Sequence, residues 1–310
     1  MVAVNVAPAG VHVGPRGVVV ALREVFATQA TLGAAHLRGH LAETLAAFLL
    51  RLRSEQDVPD QPPVGISVPE LVDLDGLVVT EVVVPGLAGD LKRWAEIGIV
   101  HVESDVRAAA HAEARAGAGT GFPSFAYMSI GTGISSAFVR DGAAWPGAHG
   151  AAILLGSGPF GPKLRPDGRP YPLEDLASGP AMVAAYRELG GRAASAREVL
   201  DRYDDDPIAA RVVEDAASSA GQGVALLVNV LDPHAMIIGG GLGCVEGPYW
   251  RILETSARDH IWAEAARHVP LLRSGLGPDA AAIGAALGAA TAELTATEAE
   301  LAAGFCDSLG

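Results

Sequence analysis

Cysteine is almost missing from this 310-residue chain: only Cys244 and Cys306 are present. That excludes the disulfide framework of a small secreted domain and leaves no cysteine cluster to hold zinc. Aromatic residues make up 5% of the chain, against 50% for hydrophobic residues overall. The core must therefore be built from closely packed Ala, Val and Leu. Cations are scarce as well, and 22 Lys and Arg against 36 Asp and Glu leave a net charge of −14. No Lys/Arg cluster offsets that field, so phosphate backbones are repelled and no nucleic-acid partner is expected. Long apolar runs are also lacking. The hydrophobic N-terminal stretch is broken by Pro8, Gly10, Gly14, Pro15 and Arg16. It has no basic lead, and no run approaches the roughly 18 residues of a membrane span. The expectation is a cytoplasmic protein with no membrane partner.

The length suits one large or two medium domains with a substantial core. Hydrophobic spacing and Gly/Pro punctuation predict strands over 2–6, 17–22, 64–68, 77–84, 100–102, 125–130, 135–140 and 236–238. An Asp73-Leu74-Asp75-Gly76 turn joins the third and fourth of these. Helical spacing covers 34–54, 87–97, 107–117, 174–190, 194–202, 207–230, 247–266 and 279–303. Residues 142–172 are Gly/Pro-rich and carry no clear period. Strands dominate the first half and helices the second, which argues for two α/β lobes. The expected divisions are an N-terminal lobe over 1–105, a C-terminal lobe over 106–290 and a helical tail over 291–310.

Three stretches carry chemistry. Val102-Glu103-Ser104-Asp105-Val106-Arg107 leads into an Ala-rich helix containing Glu113. Ser129-Ile130-Gly131-Thr132-Gly133 runs a strand into a Gly-Thr-Gly turn. Asp232-Pro233-His234-Ala235-Met236-Ile237-Ile238-Gly239-Gly240-Gly241 ends a buried strand on three glycines. In this order and spacing they resemble the ROK (repressor, open reading frame, kinase) family of the actin–hexokinase superfamily. Gly65-Ile66-Ser67-Val68-Pro69, Leu173-Glu174 before Ala177-Ser178-Gly179, and Ile283-Gly284-Ala285 extend the likeness over residues 1 to about 290.

The resemblance implies a two-lobed actin-like/hexokinase (ribonuclease H-like) α/β fold with a ligand cleft. It casts Asp105 as the base that takes the proton of an attacking sugar hydroxyl; the simpler role is a helix N-cap. Gly131, Thr132 and Gly133 would cradle nucleotide phosphate through backbone N–H groups. Gly239, Gly240 and Gly241 would let backbone approach the adenosine, or serve only close packing. Glu70, Ser104, His149 and Glu174 fall at positions expected to touch the substrate. If Glu70, Asp105 and Glu174 crowd one cleft, mutual repulsion should raise at least one carboxyl pKa.

Several departures bear on activity. The family's Asp-x-Gly-Gly-Thr phosphate loop corresponds to Asn5-Val6-Ala7-Pro8-Ala9, which lacks the metal-holding carboxylate and one backbone donor. A sugar-binding Glu corresponds to Leu154 and a zinc-binding His to Ser157, so no zinc is expected. The preferred expectation is a sugar-binding relative that has lost ATP-dependent phosphoryl transfer, with its site open to other acid–base chemistry through Asp105. The alternative is an active sugar kinase using Mg-ATP. A DNA-binding repressor is disfavoured, because the chain opens at the strand where the kinase lobe would begin. Homo-oligomerisation is expected from the apolar helices 207–230 and 279–303.

Overall fold

The computed structural model describes residues 5–6, 9–14, 17–23, 26–27, 34–55, 62–94 and 99–292. The chain divides into two compact units. The first comprises the chain up to Ala112, residues 148–151 and the described residues from Asp279 onward. The second comprises Glu113–Gly147 and Ala152–Pro278.

In the first unit β1 (Asn5–Val6) pairs with β4 (Phe26–Ala27), and β2 (Ala9–Gly14) with β3 (Gly17–Arg23), both antiparallel. Helix α1 spans Ala34–Glu55. The parallel pair β5 (Val64–Val68) and β6 (Ile99–Ser104) has Val68 opposite Ser104, so both strands end at the same edge. Helix α2 covers Leu87–Trp94 between them, and α3 (Asp105–Ala116) starts directly at the end of β6. The helix over 280–292 packs on this framework through glycine. A Cβ on Gly65 would lie 1.9 Å from the Ala285 carbonyl oxygen, and one on Gly284 would lie 1.8 Å from that of Ala108. Backbones in contact leave no room for a side chain at either place.

The second unit is built on a five-stranded sheet in the order β13-β12-β7-β8-β9. β7 (Ser124–Ile130) pairs antiparallel with β8 (Ile134–Arg140) and parallel with β12 (Ala235–Gly239). β9 (Ala143–Ala144) and β13 (Leu271–Arg273) close the edges, and β10 (Pro159–Leu164) with β11 (Pro170–Pro172) forms a separate hairpin. Helices α4 (Glu174–Ala177), α5 (Gly179–Glu188) and α6 (Ala196–Leu200) precede the long α7 (Pro207–Leu231). Asp206 caps α7 by accepting the N–H groups of Ile208 and Ala209, and Pro207 follows at the first helical position. Asp232, in the left-handed conformation, ends it. Short α8 (Gly240–Gly243) and α9 (Pro248–His260) complete the unit. Gly221 lets α7 touch α9, since a Cβ there would stand 2.4 Å from the Leu253 carbonyl oxygen. As the composition requires, the buried cluster is dominated by Ala, Val, Leu and Ile, with Met and the rings of Tyr186 and Tyr249 among them.

Several elements differ from expectation. Residues 77–84 form no strand; apart from a single Val72–Val78 bridge they run as a loop. Helix 174–190 is interrupted at Ser178, whose hydroxyl caps α5 by accepting from Ala181 N–H. Helix 247–266 stops at His260, followed by a 3-10 turn over Glu264–His268. The strand ends at 2–4 and the tail beyond 292 lie outside the described residues.

Gly284→Val should lower the urea midpoint by the equivalent of at least about 2 kcal/mol, because backbone fills the space a side chain needs. Gly89→Ala, exposed in α2 with open space at its Cβ, should be neutral or gain up to about 1 kcal/mol in the same assay.

Candidate functional site

In the first unit the ends of β5 and β6 bring Glu70 and Asp105 to one edge, the carboxyl end where ligands bind in parallel α/β sheets. Asp105 opens α3, and its Oδ1 accepts the Val106 N–H at 2.7 Å. Asp105 is exposed at its surface, yet the protein atoms gathered around the carboxylate desolvate it. Desolvation pushes its pKa up to about 6, against the opposing pull of the Val106 hydrogen bond. Sequence reasoning attributed such a rise to repulsion between carboxylates; burial is the cause found. Ser104, immediately before it, is fully buried and its hydroxyl has no hydrogen-bond partner among the described residues.

Glu70 is buried, and the neighbouring loop takes up its carboxylate. Oε2 accepts from Thr80 Oγ1 at 2.7 Å and Val82 N–H at 3.1 Å; Oε1 accepts from Val83 and Val84 N–H at 2.6 and 2.8 Å. This capture explains why a β-branched run forms no strand: its ladder donors point at a side chain. The preceding turn is as expected, with Asp73 Oδ1 accepting the N–H groups of Asp75 and Leu77, and Gly76 at φ 76°.

Arg107, two residues after Asp105, is the functional neighbour that sequence reasoning missed. It is only 2% exposed. Its Nε donates to Glu103 Oε1 at 2.7 Å, Nη1 to the Gly150 carbonyl at 2.8 Å and Nη2 to the Val72 carbonyl at 2.6 Å. Gly150 sits at φ +70°, where a Cβ would lie 2.0 Å from the Val72 oxygen, so residues 148–151 press on Val72 through glycine alone. His149 lies on that segment and is exposed.

The second unit gathers the other expected residues. The Gly131 N–H donates to the Gly133 carbonyl at 2.9 Å, closing the β7–β8 turn. Glu174 Oε2 accepts the Ile134 N–H at 2.8 Å and lies 2.7 Å from where a Gly133 Cβ would be. The Gly239–Gly241 run adjoins this turn, with the Gly241 nitrogen 3.6 Å from a Cβ built on Gly131. Gly239 and Gly240 are required by packing, since their Cβ atoms would meet the Tyr127 hydroxyl at 2.0 Å and the Ile130 carbonyl at 2.4 Å. Gly241 alone of the three faces open space.

Two α/β units carrying this constellation make up the two-lobed actin-like/hexokinase fold. The chain belongs to the ROK family, whose model matches residues 17–292. A ROK hexokinase from Thermus thermophilus superposes with TM-score 0.72 at 28% identity, over 94% of this chain and 100% of that one. A ROK glucokinase from Streptomyces griseus, solved with glucose and AMPPNP, superposes with TM-score 0.71 at 25% identity, over 90% and 98%. Among curated relatives, the bifunctional enzyme NanE/NanK of Brucella melitensis is 34% identical over 197 residues, 62% of this chain and 35% of that protein. A β-glucoside kinase of Listeria innocua is 30% identical over 166 residues, 49% of this chain and 54% of the relative. These matches span about a third to a half of the curated relatives. No helix among the described residues is long and apolar enough to cross a membrane.

Asp105 binds protons more readily folded than unfolded, so its contribution makes stability fall as pH rises from about 4 through about 6. Asp105→Asn removes that slope. Its Tm should exceed that of the parent at pH 7.5, and the gap should close near pH 4; a lower Tm throughout would make Asp105 a structural cap. Arg107→Met strands Glu103 and two buried carbonyls and should cost about 3–5 kcal/mol in urea denaturation. Arg107→Lys, lacking the forked donors, should restore only part of the loss.

Proposed function

We propose that the chain binds a sugar-like polyhydroxy molecule and transfers the γ-phosphoryl group of ATP to one of its hydroxyls, slowly compared with a ROK kinase whose phosphate loop is intact. The retained Asp105 carries this reading. It stands at the carboxyl end of a parallel pair, with a pKa pushed up to about 6, fit to accept a proton near neutrality. The hydroxyl proton passes to the Asp105 carboxylate as the oxygen attacks phosphorus and ADP departs. The names of its relatives favour the same chemistry, among them the Streptomyces griseus glucokinase solved with glucose and AMPPNP. In the second unit the Gly131–Gly133 turn is the candidate phosphate cradle by its match to the family's Gly-Thr-Gly stretch, although the Gly131 N–H is engaged by the Gly133 carbonyl and Glu174 stands beside Gly133. Magnesium and nucleotide would supply the phosphoryl group and neutralise its charge.

A second reading is favoured by one observation, the sequence Asn5-Val6-Ala7-Pro8-Ala9. There the chain keeps its ligand but has lost transfer, or uses Asp105 as the base of another reaction. Ala7 and Pro8 lie outside the described residues; by residue chemistry, Ala7 adds a Cβ and Pro8 has no N–H to donate. Each missing preorganised donor costs about 10²–10³ in rate.

Release of ADP from Mg-ATP across a hexose panel should be slow, sugar-dependent and abolished by Asp105→Asn. The rate should rise with pH through about 6, because the base must be ionised. Sugar binding in calorimetry with no ADP formed would establish the second reading, and absence of any sugar binding would overturn both.

A further inference from the structure

The second unit holds a cavity that the proposed reaction does not use. Its volume is about 480 Å³, and Arg258, Asp259, Arg267 and His268 line it. Arg258 and Asp259 stand in the last turn of α9, and Arg267 and His268 end the 3-10 turn that follows. Arg258 Nη1 donates to the Val269 carbonyl at 2.7 Å, and the Met236 N–H donates to the Pro270 carbonyl at 2.8 Å. These bonds set the cavity at the amino end of β12, with the length of that strand between it and the Gly239–Gly241 run.

The cations of this cavity are held in place without being neutralised. Arg258 Nη1 also donates to the Arg267 carbonyl at 2.5 Å, and Arg267 Nε donates to the Ile261 carbonyl at 2.9 Å. Neutral backbone oxygens therefore anchor both guanidinium groups to one short segment. A loose 3.5 Å approach of Arg258 Nη2 to Glu254 is the single ion pair they make among the described residues. Asp259 lines the same wall but pairs with neither arginine, and the His268 ring has no hydrogen bond or ion pair among the described residues. In a chain of net charge −14, carboxylates are plentiful, yet none stands between these groups.

We propose that this cavity is a binding site for a small hydroxylated phosphate monoester, separate from the site at Asp105. Guanidinium forks match phosphate oxygens in pairs, and the terminal nitrogens of Arg267 have no acceptor among the described residues. The His268 ring adds a donor from a third residue, which suits the three terminal oxygens of a phosphate better than the two of a carboxylate. A dianion supplies the countercharge that two neighbouring guanidinium groups lack. Asp259 can only accept: it repels a bare anion but takes a hydrogen bond from a hydroxyl carried by the ester. The volume suits a small metabolite, since ligand pockets run from about 300 to 1,000 Å³.

The full chain is titrated calorimetrically with glycerol 3-phosphate, inorganic phosphate and citrate at one ionic strength. Glycerol 3-phosphate should bind about tenfold tighter than inorganic phosphate, the scale of one hydrogen bond to a charged group. Citrate should bind no tighter than inorganic phosphate. His268→Ala, on an exposed side chain with no partner to lose, should weaken the ester about tenfold with Tm unchanged. Arg267→Gln should weaken it further, and if that variant melts early His268→Ala decides the matter. Asp259→Ala should bring the preference for the ester over inorganic phosphate close to one. Unchanged ester binding in His268→Ala, or an unchanged preference in Asp259→Ala, overturns the proposal. So do equal affinities for ester and inorganic phosphate, tighter binding of citrate, and no ester binding at all. A shift in sedimentation of His268→Ala, showing that this face pairs copies of the chain, overturns it as well. None of these outcomes bears on sugar-dependent ADP release.

Discussion

The guanidinium of Arg107 is the constraint on which the first unit's site depends. A buried arginine is stable only when its donors are matched, and here they reach Glu103 and the carbonyls of Val72 and Gly150. Those three contacts fix three things together: the first turn of α3 that carries Asp105, the start of the 72–84 loop, and the 148–151 segment. Glu70 is the complementary device, a buried anion matched by backbone N–H groups where Arg107 is a buried cation matched largely by backbone carbonyls. Two opposite charges thus organise loop backbone that regular pairing leaves free. This is how an irregular segment is held as rigidly as a strand.

Much of the architecture was legible because local signals agreed. The Asp73–Gly76 turn, the long helix α7 and the buried run of β12 all follow from residue type and spacing. Two of the failures share one physical cause, a side chain that competes with the backbone. Residues 77–84 are β-branched and read as a strand, but Glu70, distant in sequence, takes their donors. Ser178 sits within a helical pattern and restarts the helix by capping it. Arg107 was illegible for a related reason: in an Ala-rich helix an arginine reads as the solvated face, and two of its three partners lie 35 and 43 residues away.

The glycines show how family resemblance and packing overlap. Gly239 and Gly240 match a ligand-binding motif, yet Tyr127 and Ile130 already exclude any side chain there. Only Gly241, with open space beside it, is left for a ligand to explain. Gly131 and Gly133 are mixed in the same way, since Glu174 occupies the space beside Gly133. A glycine motif in such a fold therefore reports the geometry of the sheet end first and the ligand second.

The three carboxylates also separate into different kinds. Glu70 is saturated by donors, Glu174 keeps one oxygen available, and Asp105 is desolvated with a single hydrogen bond from the described residues. The last combines access with a raised proton affinity, which is the property of a base rather than of a structural anion. A base with a pKa near 6 serves phosphoryl transfer and other proton abstractions equally well. Asp105 thus accounts for the proton, not for the phosphate. What would separate a kinase from another acid–base protein on this chain lies in the stretches proposed to meet phosphate, the Gly131–Gly133 turn of the second unit and, by sequence, Asn5–Ala9. The first keeps its glycines and the second has exchanged its metal-holding charge for an amide. Under that proposal, glycines kept in the one and a charge lost from the other give weakened transfer as the physical expectation rather than an unrelated chemistry.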